Sequence, residues 1–180
     1  ARKQAHVVLV AVHWGENLRA EPSADEVAVG HAIIEAGADA VLGASAHLLQ
    51  AVEIYSGRPI IHDAGDLLFD AIQSKPTKSG LFSLELSSNG VETVIFTPLS
   101  GGFATTRQLE GQEARKAAQE FATQCLNAGT QMQVSASGQG IVHLSPETRA
   151  TPKIVTDRVS PVSEKHCLPE TLSCEVDKCW

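Results

Sequence analysis

The chain has 180 residues, with 14 Lys+Arg against 21 Asp+Glu and a formal net charge of −7, which argues against nucleic acid or an anionic lipid surface as the main partner. At 43% hydrophobic and 19% charged it is a folding composition rather than a disordered one, and with aromatics at only 4% the core must rest on Val, Ile, Leu and Ala. The longest clean apolar run, Val7 to Val12, is too short to span a bilayer; no signal peptide is visible, and the lack of an initiating Met points to a processed product or a fragment.

The first 100 residues read as alternating α/β. Val7 to Val12 is β-branched and continuous, the pattern of a strand buried on both faces of a parallel sheet. A polar loop runs from His13 to Pro22. Ser23 stands three residues before Glu26, a capping-box spacing, and Val27, Ala28, Ile33, Ile34 and Ala36 continue as a helix that Gly37 ends. Ala38 to Leu42 is a second strand, which makes a right-handed crossover unit. Ala51–Tyr55 and Pro59–His62 flank a Ser56-Gly57 turn, and Leu81–Leu86 and Val91–Phe96 flank Asn89-Gly90, a hairpin signal. Glu110 to Leu126 is helix-forming. Gln131–Val134 and Gly140–Leu144 add a late strand pair.

From Ser145 periodicity is lost among Pro146, Pro152, Pro161 and Pro169, so residues 1–144 are read as the folded part and 145–180 as an irregular tail. Three cysteines, Cys167, Cys174 and Cys179, fall in that tail, and Cys125 falls on the long helix. The tail spacing does not match common zinc sites; disulfides in an exported protein and free thiols both remain open.

Chemistry-bearing residues gather at strand ends, where a parallel α/β sheet places its ligand crevice. His13-Trp14-Gly15-Glu16-Asn17 follows the first strand. Gly43-Ala44-Ser45-Ala46-His47 follows the second, with Gln50 and Glu53 beyond. His62-Asp63-Ala64-Gly65-Asp66 ends the Pro59–His62 strand. Imidazole and carboxylate suit Zn, Mn or Fe, and the same groups serve as acids and bases. Each also has a plainer role: Trp14 in packing, Asp63 and Asp66 as turn formers around Gly65, Glu16 as a solvated charge. His6, His31, His143 and His166 lack this context and are read as structural or exposed.

At these loops the sequence becomes recognisable. The runs Val12 to Arg19, Ala36 to Gly43, Ser45 to Tyr55, Gly57 to Ile61 and Asp63 to Asp66, in this order, resemble the CapA family of poly-γ-glutamate capsule biosynthesis proteins, similar to calcineurin-like metallophosphoesterases, over roughly residues 1–130. The resemblance implies part of an α/β/β/α sandwich, with an N-terminal half of the domain preceding residue 1, in the same gene product or a partner chain. It implies His13 and His47 as ligands of divalent Mn, Fe or Zn. His13, His47, Asp63 and Asp66 would then be catalytic, and Glu16, Asn17, Arg19, Gln50, Glu53 and Arg58 would contact substrate. Two departures stand out. Ala44 replaces the first His of a Gly-His-x-x-His motif, and a methyl group cannot coordinate a cation. His62 stands where the family usually has Tyr, and offers a compensating imidazole.

Two functions follow from the resemblance. One is a metallophosphoesterase-type hydrolase or transferase acting on an anionic polymer or a phosphorylated precursor, held by a local basic spot at Arg19 and Arg58. The other is a non-catalytic assembly or export factor that keeps the fold, the reading that Ala44 favours. Cell envelope or membrane association is the location the family implies, with the cytoplasm as the alternative.

Overall fold

A computed structural model describes residues 3–69 and 77–145. The tail from Pro146, with its prolines, His166 and Cys167, Cys174 and Cys179, lies outside the described residues. The elements are β1 (Leu9–His13), α1 (Ala24–Glu35), β2 (Ala40–Ala44), β3 (Val52–Tyr55), β4 (Arg58–Ile61), β5 (Thr77–Ser87), β6 (Gly90–Gly102), β7 (Thr105–Gln108), α2 (Gly111–Asn127), β8 (Gln133–Val134) and β9 (Gly140–His143).

They form a mixed α/β structure with two sheets, the expected class. The first sheet has the order β1-β2-β4-β3, with β1, β2 and β4 parallel and β3 antiparallel to β4. The second has the order β5-β6-β9-β8, with β7 on β6. Ser56 and Gly57, at φ of 50° and 70°, turn β3 into β4. Positive φ at both central residues is what a tight two-residue hairpin demands.

The first strand departs from expectation. β1 lies at the sheet edge and pairs, among the described residues, with β2 alone. Its residues therefore alternate: Val10 and Val12 turn toward α1, while Leu9, Ala11 and His13 are exposed. Further along, β7 has no sequence signal, because Thr105–Gln108 is polar and wholly exposed.

Two cores hold the layers. Ile34 and Ala38 pack on Val41 and Ile60, with Trp14 and Val12 at the margin, fixing α1 to one face of the first sheet. A larger core joins Ala40, Val52 and Ile61 of the first sheet to Val94, Phe96 and Val142 of the second and to Ala118, Phe121 and Cys125 of α2. Cys125 ties α2 to the first sheet directly, its Sγ accepting from the Val52 amide at 3.5 Å.

The capping box forms as the spacing predicts. Ser23 Oγ accepts from the Glu26 amide at 3.2 Å, and Glu26 Oε2 accepts from the Ser23 amide at 2.8 Å. Ser23→Ala should cost about 1 kcal/mol, the usual value of such a cap, read as a lowered urea midpoint with an unchanged slope. No helix among the described residues is long and apolar enough to cross a membrane.

Candidate functional site

Because β1, β2 and β4 run parallel, their carboxyl ends meet at one rim. The loops that follow are laced together by backbone bonds. Trp14 N donates to Ala44 O at 2.9 Å, Leu18 N to Ala46 O at 2.8 Å, and Gln50 N to Asp63 O at 3.0 Å.

Asp63 is the hub of this rim. It is buried, 2% exposed, and both its carboxylate oxygens are engaged: Oδ2 accepts from the Ala46 amide at 2.6 Å and Oδ1 from the Gly65 amide at 2.7 Å. Burial raises its carboxyl above the ordinary aspartate value, against the pull of those two amides. The loop it holds is strained, with Ser45 at φ 123° and His47 at φ 59°, backbone that non-glycine residues adopt at a cost of about 1–3 kcal/mol each.

His47 and Asp66 form a pair. His47 Nδ1 lies 2.7 Å from Asp66 Oδ1, and the imidazole packs on Phe69 with ring centroids 4.6 Å apart. A carboxylate only accepts, so Asp66 fixes the proton on Nδ1 and leaves Nε2 with a lone pair. This is an orienting carboxylate behind an imidazole, an arrangement able to move a proton. Asp66 Oδ2 is buried and has no partner among the described residues.

His13 is exposed at the end of β1, and its register partner across β2 is Ala44. Partners in parallel register present their side chains to the same face, so the missing imidazole of the expected motif would have stood beside His13. The Trp14 indole donates from Nε1 to His62 O at 3.0 Å. It passes over Gly43, where any Cβ would strike the His62 carbonyl and the indole nitrogen.

The remaining candidates scatter by role. Gln50 is buried and donates from Nε2 to Arg19 O at 2.9 Å, pinning the first loop. Glu16 and Arg19 are exposed and pair loosely at 3.4 Å, and Asn17 is exposed. Arg58 is buried at 7% exposure, its Nη1 donating to Ser56 O at 3.4 Å. The expected basic spot therefore retains Arg19 at the surface, while Arg58 is a buried structural arginine.

Glu53 is clamped between two imidazoles, one on α1 and one at the end of β4. His31 Nε2 lies 2.5 Å from Oε1, and His62 Nε2 lies 3.0 Å from Oε2. His31 stacks on Tyr55 with centroids 3.6 Å apart. His31 was not legible as a site residue, because its helical spacing says nothing of a strand residue 22 positions later. The bond from His62 holds Glu53 below its ordinary value of 4.5, aided by His31 and opposed by burial. A depressed carboxyl stabilises the fold fully above its unfolded value and loses that contribution as pH falls through the folded one. Glu53→Gln should therefore cost stability at neutral pH and little in acid, so urea midpoints of the two proteins should draw together as pH falls below the ordinary value of 4.5.

Among the described residues, the donors at the rim fall short of a full divalent-metal set. Ala44 offers no donor and both oxygens of Asp63 accept from amides, which leaves Nε2 of His47 and the exposed His13 as the imidazole donors of the rim. Among the described residues, no group of three or more His, Cys, Asp or Glu is placed to hold an ion.

Comparison with known proteins gives matches to part of the chain. Residues 1–71 match the family described as bacterial capsule synthesis protein PGA_cap. The chain is similar to the PGA biosynthesis protein CapA of Bacillus subtilis (strain 168), 31% identical over 99 residues, covering 55% of this chain and 26% of that protein. It is also similar to the capsule biosynthesis protein CapA of Bacillus anthracis, 32% identical over 96 residues, covering 53% and 23%. A probable polyglutamine synthesis accessory protein of Mycobacterium tuberculosis is 36% identical over 69 residues, covering 38% and 18%. The matched region thus spans about a quarter of the length of the first two relatives.

Proposed function

We propose, from the match of residues 1–71 to the bacterial capsule synthesis protein family, that the protein serves in the biosynthesis of poly-γ-glutamate or a related cell-envelope polymer. The observation that carries this reading is the pairing of His47 with Asp66 within the matched segment, on a loop that Asp63 holds in a strained conformation. The pair can give or take a proton at an acyl or phosphoryl group of the polymer or its precursor. Arg19 is the exposed cation nearest in sequence to the rim for an anionic chain. No step is routed through a metal.

A second reading, a non-catalytic factor in assembly or export, is favoured by Ala44 beside His13. One experiment separates the two. The chromosomal gene is deleted, or changed to His47→Ala or Asp66→Asn, and polymer is measured as glutamate released by acid hydrolysis. Deletion should abolish the polymer. If His47→Ala matches the deletion at an unchanged protein level, the rim carries chemistry. If His47→Ala keeps normal polymer while deletion does not, the protein acts without catalysis. Unchanged polymer on deletion would refute the proposal.

A further inference from the structure

The chain has five phenylalanines. Phe82, Phe96 and Phe121 meet in the larger core, while Phe69 and Phe103 stand at the surface, 38% and 61% exposed. Leu67 and Leu68, which precede Phe69, are 54% and 71% exposed. Sequence joins these leucines to Phe69, and a parallel β-bridge joins Phe69 to Phe103, with Ala104 N donating to Phe69 O at 2.8 Å. A folded domain seldom leaves large apolar side chains grouped in water, and such a patch marks a place where something apolar docks.

The patch adjoins the rim through a direct contact. The Phe69 ring packs on the His47 imidazole at 4.6 Å between centroids, tilted by 43°. Asp66, which holds His47 Nδ1, immediately precedes Leu67 in the chain. The imidazole is thus held by a carboxylate at its Nδ1 edge and by an aromatic ring on its face, and 27% of its side-chain surface stays open to solvent. A molecule docked on Phe69 is within van der Waals reach of the imidazole.

Charge decides what this patch takes. Asp63 lies within electrostatic reach of both His47 and Asp66, and Glu16 stands on the loop that Leu18 N ties to Ala46 O. Arg19, the cation of that loop, already faces Glu16 at 3.4 Å. A chain of γ-glutamyl carboxylates meets repulsion beside His47. A neutral head on a hydrocarbon tail meets none, and the tail removes apolar surface from water.

We propose that the rim binds its substrate through an alkyl chain seated on Phe69, Phe103 and the neighbouring Leu67 and Leu68, with an uncharged acyl group beside His47. The inference rests on the reading that the His47–Asp66 pair serves in polymer synthesis. It names the class of precursor: an acyl group carried on a lipid-like chain, not the free polyanion.

The test uses the full chain labelled with ¹⁵N-histidine, titrated separately with octanamide, acetamide and tri-γ-glutamate. Octanamide should bind saturably, at least about tenfold more tightly than either of the others, and should move the His47 imidazole resonances. Leu68→Ser and Phe103→Ser together should weaken octanamide at least about tenfold and leave the urea midpoint near its original value, since both side chains are exposed. Acetamide or tri-γ-glutamate binding as tightly as octanamide, no saturation with octanamide, or a saturated complex whose His47 signals have not moved would each overturn the proposal. So would self-association that the two substitutions abolish and octanamide does not displace, which would assign the patch to a second copy of the chain. The wild-type titration decides the matter even if the double variant does not fold. It needs no polymer, so its outcome is separate from that of the gene deletion.

Discussion

Asp63→Ala should lower stability by about 2–4 kcal/mol and set the His47 loop loose. The carboxylate accepts from two amides, Ala46 N and Gly65 N, and each buried N–H left unpaired costs about 1–3 kcal/mol. Part of this is offset, because removing the carboxyl also removes the cost of burying it, the cost that raises its pKa. Asp63→Asn keeps one acceptor oxygen and should fall between the two. The pH dependence has a definite sign. With the folded value raised above the ordinary 3.8, the native state binds the proton more tightly, so this group's contribution to stability declines as pH rises between the unfolded and folded values. Urea unfolding across acid pH should show that segment in the native protein and lose it in Asp63→Asn. A stability loss below about 0.5 kcal/mol, the range of an ordinary surface change, would mean that the loop amides find other partners.

Phe96→Ala should cost about 3–5 kcal/mol, the range for emptying a buried aromatic site. Phe96 is 1% exposed. Its ring meets Phe121 at 4.2 Å and Phe82 at 5.4 Å between centroids, and it lies flush on Gly80, where a Cβ would strike it. This ring joins β5, β6 and α2, so its loss loosens the second sheet and the helix together. Leu86→Ala, on β5 at 49% exposure, is the matched control and should stay within about 0.5 kcal/mol. Comparable losses from both substitutions would show that the core is not centred on Phe96.

Local signals in the sequence translated well into elements. Ser23 and Glu26 give the start of α1 and Ser56-Gly57 the β3–β4 turn, while the β5–β6 turn falls one residue before the expected Asn89-Gly90, at Ser88-Asn89, with Gly90 already paired to Ser87. Each works through bonds or dihedrals within a few residues, which is why spacing alone reveals them. The environment of β1 was not legible, because an apolar run reads the same at an edge as in the middle of a sheet. The same limit applies to the site. Strand ends brought the loops of His13, His47 and Asp63 to one rim, as parallel topology requires. The pairings within it were a different matter: His47 with Asp66, Asp63 with two amides, and Glu53 with both His31 and His62 are set by tertiary approach. Arg58 illustrates the reverse error, a charge read as a surface contact that β4 carries into the interior.

The Cys125 thiol is fully buried, and its pKa is raised to about 11 by that burial. Only the thiolate attacks an alkylating reagent, so at neutral pH iodoacetamide should leave Cys125 untouched until α2 lifts away from β3. Its rate of modification is thus a clock for that opening, reporting in minutes or hours a separation that equilibrium unfolding curves average away.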